Sequence, residues 1–417
     1  MNVTDVLTEG LDIQDSIIKV MGVGGGGCNA INYLYNQGIQ DVSLLVCNTD
    51  KMSLDGSSVP SKLQLGTGLG VGGKPGLAKQ YAEEDRERIR ESLNDGTKML
   101  FITAGMGGGT GTGASPIVAE VAKEMGILTV GIVTIPFAFE GVKKIEKAMK
   151  GVAELAAQVD AILVINNEKL RQIYPDLNLL NAFKKSDDVV ANSARSIAEI
   201  ITKPGYINTD FTDVYNTLKD GGVAIMSVGT ATGENRVANA IHEALHSPLI
   251  NTEVHGATRL LFQIYCSTEH AMVMSEIDQI HDFVREVGDD VEVQWGAAID
   301  EELGESVRVT IIATGYEVSN IPNIDNNPSD SIKDYYDDPA TAKKKEEVTN
   351  EDEVSEPLDD EKPVEVKLEV PAVGASAVEP VVEEAEEEDI VIKIDEEDYQ
   401  DERPGTLFSG WMRGRNR

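Results

Sequence analysis

Short apolar runs alternate with amphipathic segments along the first half of the chain. Residues 17–23 (IIKVMGV) and 42–47 (VSLLVC) are rich in aliphatic side chains, as buried strands are. Strands that alternate with helices are typical of a doubly wound, mostly parallel α/β sheet with helices on both faces. The predicted strands are 17–23, 42–47, 98–103, 127–135 and 161–165, and the predicted helices are 28–37, 81–94, 115–125 and 141–157.

A longer helical segment separates this half from a second pattern. Residues 178–202 contain no Pro or Gly and end at the stop signal Lys203-Pro204-Gly205. The pattern that follows predicts a smaller α+β domain. Its predicted strands are 223–228, 258–266, 291–295 and 307–313, and its predicted helices lie near 234–246 and 269–287.

Beyond Gly315 the apolar pattern is lost. Residues 351–402 hold 22 Asp and Glu against 3 Lys and Arg. The stretch 318–402 has too little apolar surface to offset chain entropy, so we expect a disordered acidic linker. Residues 403–417 regain apolar side chains among four arginines, which favours a docking peptide over a frayed, inert end.

The composition excludes several classes of protein. A net charge of −36 argues against binding of DNA or RNA through the phosphates. Cys28, Cys47 and Cys266 have neither disulfide nor zinc spacing, which fits a reducing cytoplasm. The acidic N-terminus is not a signal peptide, and the longest apolar run, 126–139, is too short to span a bilayer. We expect a cytoplasmic protein that meets a membrane only indirectly.

Three glycine clusters punctuate the first half, at 22–27, 66–76 and 105–113. The first and third lie where a strand passes into a helix, and in a parallel sheet those points share one edge, where ligands bind. Unpaired N–H groups at helix N-termini suit phosphate, and glycine lets phosphate approach the backbone. Thr110 and Thr112 can add hydroxyl donors. The clusters therefore predict a polyphosphate site rather than a linker.

Other nucleotide sites have to be weighed against this one. Gly22, Gly24 and Gly27 fit G-x-G-x-x-G, with Asp50 at the end of the next strand, which is the fingerprint of a dinucleotide-dependent oxidoreductase. That fold does not require the third cluster, however. An ordinary P-loop is disfavoured, because Lys74 lacks the Walker A spacing.

Residues 107–113 (GGGTGTG) resemble the signature of the tubulin superfamily, and the similarity to its cell-division branch, the FtsZ family, extends over 17–317. The further motifs that carry it are MGVGGGGCNA (21–30), NTD (48–50), IPFAFEG (135–141) and NTDFTDV (208–214). The resemblance implies a GTPase that polymerises head to tail and forms the division ring at mid-cell. It also implies that the terminal peptide docks division proteins and membrane tethers.

In this family the loop of one subunit completes the active site of the next. The resemblance places that loop at 203–213, with Asn208, Asp210 and Asp213 as its catalytic residues. The carboxylates would orient and polarise the attacking water. From the residues alone, Asp210 and Asp213 fit helix capping instead. A scaffold that polymerises without hydrolysis is a further alternative.

The resemblance also implies which residues bind GTP. Those of the phosphate loops and their surroundings are Gly25, Gly26, Gly27, Cys28, Asn29, Asn48, Asp50, Gly108, Gly109, Thr110, Gly111 and Thr112. Those of the ribose and base are Glu140, Lys144, Phe183 and Asp187. Mg²⁺ is expected on phosphate oxygens and water, without a metal site made by the protein.

Some positions depart from the family pattern or stay open. Cys28 replaces the usual Gly or Asn and suggests redox sensitivity, and Lys144 replaces an arginine, which loses bidentate geometry. Either Asp187 or Asp188 could read guanine, and Phe183 also fits an ordinary helix core. The terminal peptide, 403–417, lacks the sequence most common in the family, so its partners can differ from the usual ones.

Seven segments follow from these expectations. They are a flexible segment 1–16, a GTP-binding domain 17–177, a central helix 178–202, a catalytic loop with its following helix 203–221, a C-terminal α+β domain 222–317, the linker 318–402 and the docking peptide 403–417.

Overall fold

The computed structural model describes residues 16–203, 205–245, 256–287 and 290–316. The strands in these residues are β1 (Ile18–Val23), β2 (Ser43–Asn48), β3 (Lys62–Gln64), β4 (Met99–Gly105), β5 (Leu128–Ile135), β6 (Ala161–Asn166), β7 (Gly205–Ile207), β8 (Gly222–Ala231), β9 (Arg259–Cys266), β10 (Glu292–Ile299) and β11 (Val307–Tyr316). The helices are α1 (Gly24–Asn36), α2 (Lys51–Asp55), α3 (Pro75–Glu84), α4 (Arg86–Leu93), α5 (Thr110–Glu124), α6 (Val142–Ala156), α7 (Asn167–Ile173), α8 (Leu179–Thr202), α9 (Phe211–Leu218), α10 (Arg236–Leu245) and α11 (Met274–Val287). The predicted linker and docking peptide lie outside the described residues, as does the N-terminal segment except Ser16.

Strands β1 to β6 form the parallel half of one sheet, in the order β3-β2-β1-β4-β5-β6. The central strand β1 is buried along its whole length and pairs on one side with β2 and on the other with β4. Helices α1 and α8 pack on one face of this half and α5 and α6 on the other. Burial on both faces explains why these strands read as continuous apolar runs. The predicted doubly wound architecture is confirmed.

The remaining strands form a mixed α+β half. Strand β11 pairs antiparallel with both β8 and β9, β10 runs parallel to β9, and β7 pairs antiparallel with β10. The two halves join where β6 meets β8, through the register pairs Ala161↔Gly222 and Ile162↔Val223. The strands of both halves therefore lie in one sheet, a continuity that the hydrophobic pattern did not indicate.

Helix α8 connects the two halves. Asn178 caps it by accepting a hydrogen bond from the Asn181 N–H at 2.9 Å, and it runs for 24 residues. At 1.5 Å per residue its length is about 36 Å. Its first turns lie beside the glycine clusters and its last turn leads into β7. Among the described residues no helix is long and apolar enough to cross a membrane.

Four helix predictions were wrong in their bounds. Helix α1 starts at Gly24 rather than 28, and α11 starts at Met274 rather than near 269. The predicted helix 81–94 is two helices that meet at Asp85, whose carboxylate accepts a hydrogen bond from the Gly66 N–H at 2.7 Å. Helix α5 starts at Thr110 rather than 115. The chain can turn before Thr110 because Gly107 adopts φ +90°. The short elements α2, β3, α7 and β7 were not predicted, since so few residues carry little periodicity.

Candidate nucleotide site at the glycine clusters

A cleft of about 460 Å³ opens at the carboxyl ends of β1, β4, β5 and β6, beside the first turns of α8. Its lining joins glycine backbone to two carboxylates, a lysine and an aromatic ring. The lining residues are Gly25, Gly26, Asn29, Gly105, Met106, Gly108, Gly109, Thr110, Gly111, Thr134, Pro136, Glu140, Lys144, Asn167, Phe183, Ser186 and Asp187. Eleven of these are among the residues predicted to bind the nucleotide.

Helix α1 presents its N-terminus to this cleft. No side chain caps it, and Gly25 and Gly26 are exposed, so their N–H groups are open to a ligand. A methyl group at Gly25 would meet no protein atom within 4 Å. Gly27 is different, because a methyl group there would lie 2.1 Å from the Thr103 carbonyl oxygen. Gly27 is therefore required for the packing of α1 on β4 and does not line the cleft.

Helix α5 presents a second N-terminus without a side-chain cap, beginning after Gly109. The Thr110 hydroxyl lines the cleft and is held by a 2.7 Å hydrogen bond with the hydroxyl of Thr49, which the sequence did not single out. Thr112 was predicted to reach the nucleotide but turns inward and accepts a hydrogen bond from the Gly107 N–H at 2.9 Å. It shapes the loop rather than the cleft.

The second glycine cluster, 66–76, packs against the third, 105–113. Its Val71 side chain fills the space beside Gly109, where a methyl group would come within 2.5 Å of Val71 Cγ2. Likewise, a methyl group at Gly113 would lie 2.1 Å from the Pro75 carbonyl oxygen. The absence of side chains at these two positions lets α5 lie against the loop.

Glu140 and Lys144 form an ion pair on the rim of the cleft. Glu140 also accepts a hydrogen bond from the Phe137 N–H at 2.9 Å. Behind it the buried Glu168 accepts a hydrogen bond from the Ala138 N–H at 3.0 Å, which holds the same loop against α7. The pair is thus presented by a loop that is fixed at two backbone positions.

The aromatic ring of Phe183 is 37 % exposed in the cleft. Its edge packs against Phe137 with ring centroids 5.2 Å apart, and Phe139 lies 6.5 Å away. These contacts orient the ring and leave part of it open to the cleft. Phe183 is therefore not a buried core residue, and a planar base can stack on it.

Asp187 and Asp188 have different environments. Asp187 lines the cleft, no described residue donates a hydrogen bond to its carboxylate, and burial raises its pKa to about 7. Burial alone would also raise the pKa of Asp188, but hydrogen bonds from Lys185 and Tyr33 outweigh it and lower that pKa. Lys185 Nζ lies 2.8 Å from the Asp188 carboxylate. Asp187 is thus the carboxylate available to a ligand.

Three polar residues of the cleft were missed, namely Thr134, Asn167 and Ser186. The Ser186 hydroxyl donates to Asn167 Oδ1 at 2.7 Å, and both side chains line the cleft. Asn167 begins α7, a helix too short to be predicted. Their alignment depends on α7 packing against α8, which local sequence does not encode.

Besides Gly27 and Thr112, three further predicted ligand residues do not line the cleft, namely Cys28, Asn48 and Asp50. The Asn48 amide donates to the Ser53 hydroxyl at 3.1 Å, and Asp50 caps α2 through the Met52 N–H at 2.9 Å. Cys28 is buried, and burial raises its pKa to about 12, which argues against the redox sensitivity suggested for it. The position of Asp50 also weakens the oxidoreductase alternative, which needs this carboxylate at the ribose.

The predicted catalytic residues lie at the far end of α8. Asp210 Oδ1 accepts hydrogen bonds from the N–H groups of Thr212 and Asp213, and Asp213 Oδ2 accepts one from the Asp210 N–H. Asn208 Oδ1 accepts a hydrogen bond from the Gly205 N–H at 2.6 Å. From Asp187 to the end of α8 the distance is about 22 Å. None of the three residues lines the cleft of its own subunit.

Comparison with known proteins identifies the family. Residues 17–175 match the model of the tubulin/FtsZ family GTPase domain, and residues 222–317 match that of the FtsZ family C-terminal domain. The chain is 49 % identical over 331 residues to the cell division protein FtsZ of Porphyromonas gingivalis, covering 76 % of this chain and 72 % of that protein. The chain belongs to the FtsZ family.

Comparison with further FtsZ relatives gives the same family. The cell division protein FtsZ of Pseudomonas putida is 45 % identical over 309 residues, covering 72 % of this chain and 77 % of that protein. A solved FtsZ dimer from M. jannaschii superposes with a TM-score of 0.68 at 36 % identity, covering 78 % of this chain and 95 % of that one. The predicted family, fold and GTPase class are confirmed.

Proposed function

We propose that this FtsZ-family chain binds GTP in the cleft, polymerises head to tail and hydrolyses GTP at a site shared by two subunits. One observation carries the proposal. The uncapped N-termini of α1 and α5 open into the cleft, whereas Asp210 and Asp213 lie at the opposite end of α8. A single subunit therefore cannot bring its own acids to its own phosphates.

The lining of the cleft assigns each part of GTP to a place. The phosphates lie on the backbone of Gly25 and Gly26 and on the loop 108–111, with the helix dipoles favouring their charge. The base lies against Phe183. The Asp187 carboxylate accepts hydrogen bonds from the two donor nitrogens on the edge of guanine. Adenine offers no such pair, so this contact gives the preference for GTP.

The ribose lies between these two regions, beside Glu140 and Lys144. Lys144 pairs with Glu140 and offsets the charge of that carboxylate beside the ribose. Among the described residues no group of three or more His, Cys, Asp or Glu side chains could hold a metal ion. The glycine end of the cleft, with Asn29 and Thr110 as its polar side chains, suits Mg²⁺ that arrives bound to the phosphates.

Helix capping does not prevent Asp210 and Asp213 from acting in catalysis. In each carboxylate one oxygen holds the backbone, namely Oδ1 of Asp210 and Oδ2 of Asp213. No described residue donates to the other oxygen of either group. Those oxygens can accept hydrogen bonds from a water that attacks the γ-phosphate of the neighbouring subunit's GTP.

Exposed apolar side chains support head-to-tail assembly. Leu69 is 90 % exposed and Phe139 59 % exposed near the cleft, and Tyr206 is 89 % exposed beside the catalytic loop. Large apolar side chains at both ends favour burial against a second copy. The M. jannaschii relative was solved as a dimer, which supports self-association.

The site of action follows from the family. We place the protein at the mid-cell division site, where its terminal peptide, 403–417, recruits division proteins and membrane tethers. Nucleic acid is not a partner, and membrane contact is indirect. A truncation that lacks 318–417 should hydrolyse GTP normally and fail to recruit these partners, as assayed by turnover and by co-sedimentation with vesicles and tether proteins. Loss of hydrolysis in the truncation would contradict this division of roles.

The decisive experiment measures GTP hydrolysis against protein concentration, with sedimentation in parallel. A shared site predicts negligible turnover below a threshold concentration, then a linear rise accompanied by GTP-dependent pelleting. Asp213→Ala should still pellet with GTP but hydrolyse it slowly. Turnover proportional to concentration from zero, or normal turnover by Asp213→Ala, would overturn the shared site.

A further inference from the structure

Thr209 is an anchor inside the catalytic loop. It lies between the exposed residues Asn208 and Asp210 yet is only 6 % exposed. Its hydroxyl donates a hydrogen bond to Gln263 Oε1 at 3.1 Å, and Gln263 is 2 % exposed in the middle of β9. The loop is thus tied to the C-terminal sheet by a hydrogen bond shielded from water, where loss of one partner leaves the other unsatisfied.

The neighbouring strand leaves space for this anchor. Gly296 on β10 is the register partner of Gln263. A methyl group at Gly296 would lie 2.2 Å from Thr209 Oγ1 and 2.3 Å from Gln263 Oε1. Only glycine at this position allows the Thr209 and Gln263 side chains to meet.

Strand β9 also holds the C-terminal end of α9, the helix that has Asp210 and Asp213 at its N-terminus. Arg259 of β9 donates hydrogen bonds to the carbonyl oxygens of Lys219 at 2.6 Å and Asn216 at 2.9 Å, at the C-terminus of α9. A cation there also stabilises the helix dipole. Arg259 and Gln263 lie on one face of β9, about 13 Å apart. That spacing is close to the length of α9, about 12 Å for its eight residues.

From this arrangement we propose that Gln263 is a positioning residue for GTP hydrolysis. Through its hydrogen bond to Thr209, β9 fixes the direction in which Asp210 and Asp213 point toward the next subunit. Gln263 and Thr209 are both buried and neither lines the cleft, so both would act through the loop and not on the nucleotide itself. The inference rests on the proposed shared site, and a displacement of about 1 Å at such a site can cost on the order of a hundredfold in rate.

The test uses the full-length chain and four variants. Thr209→Val removes the hydroxyl and keeps the shape, and Thr209→Ser keeps the hydroxyl. The double variant Thr209→Val/Gln263→Met removes both polar groups, so that neither is left unpaired in the interior. Asp213→Ala reports on the shared site itself. The readouts are GTP hydrolysis per pelleted subunit, the Kd for GTP below the polymerisation threshold, and thermal unfolding.

We expect Thr209→Val and the double variant to bind GTP within about twofold of the wild-type Kd and to pellet with GTP, because the cleft is remote from β9. Hydrolysis per pelleted subunit should fall by at least about fivefold in both. Thr209→Ser should hydrolyse at nearly the wild-type rate. This split between affinity and turnover would not follow from a general loss of stability.

If Asp213→Ala is slow but Thr209→Val hydrolyses GTP at the wild-type rate per pelleted subunit, the positioning role is overturned. Wild-type hydrolysis in Asp213→Ala as well would instead overturn the shared site on which the inference rests. If Thr209→Val does not fold, the double variant decides, since it buries no unpaired group. Normal turnover in the double variant would equally refute the role of Gln263.

Discussion

A single methyl group can show whether phosphate lies on the backbone of α1. Gly25 is the second residue of α1 and Gly76 is the second residue of α3. Both are exposed, neither helix has a side-chain cap, and a methyl group at either would meet no protein atom within 4 Å. Only Gly25 lines the nucleotide cleft. Gly25→Ala and Gly76→Ala are therefore a matched pair.

The protein itself should respond to the two changes alike. Gly→Ala at a compatible position stabilises by about 0.4–1 kcal/mol, because the unfolded chain loses conformational freedom. With an unfolding entropy of about 2.1 cal/mol/K per residue, that corresponds to a rise in Tm of about 0.5–1.5 °C for a folded body of about 300 residues. We expect this rise for both variants when no nucleotide is present.

GTP binding should separate them. The methyl group at Gly25 would occupy space that a phosphate oxygen needs to reach the α1 backbone. Forcing extra volume into a close contact costs about 1–3 kcal/mol, which corresponds to an increase in Kd of about 5- to 150-fold. Gly76→Ala should bind GTP with the wild-type Kd.

The assay titrates a fluorescent GTP analogue into nucleotide-free protein below the polymerisation threshold, alongside thermal unfolding without nucleotide. Equal affinities of Gly25→Ala and Gly76→Ala for GTP would refute the placement of phosphate on α1. A fall in Tm for Gly25→Ala would show instead that the methyl group disturbs the protein.

Three further predictions follow from the geometry. Burial raises the pKa of Asp187 to about 7, so below that pH a proton competes with guanine for the carboxylate. The affinity for GTP should therefore fall as the pH falls through about 7. In binding titrations, Asp187→Asn should abolish both this pH dependence and the preference for GTP over ATP. Phe183→Ala should weaken GTP and GDP equally, by about 1–3 kcal/mol, through loss of stacking, so unequal losses would count against a base contact. Lys219→Met leaves the buried Asp160, 2.7 Å from Lys219 Nζ, without its cation and should lower the free energy of unfolding by about 3 kcal/mol. Lys203→Met, at a partly exposed ion pair with Glu199, should cost under about 1 kcal/mol, and denaturant titrations measure both.

Sequence reasoning succeeded where one feature of the chain had one physical cause. The apolar runs of β1 and β4 are continuous because parallel strands are covered on both faces. Glycine clusters after such runs indicated ligand-facing helix N-termini, and Gly25, Gly26 and 108–111 do line the cleft.

It failed where one residue type serves two purposes. Gly25 and Gly27 are equivalent in the sequence, yet one faces the cleft and the other makes room for the Thr103 carbonyl group. Asp187 and Asp188 are adjacent, but one lines the cleft and the other is paired with Lys185.

The order of strands, helices and glycine clusters was thus determined by the sequence alone, because hydrophobic periodicity records whether each face of an element is buried. Tertiary structure decided which glycines open to a ligand, which aspartate lines the cleft unpaired, and that Thr209 is tied to Gln263. Each of these depends on what lies across a contact between segments distant in the chain. Periodicity contains no record of that partner, since it reports burial and not the identity of the neighbouring atoms.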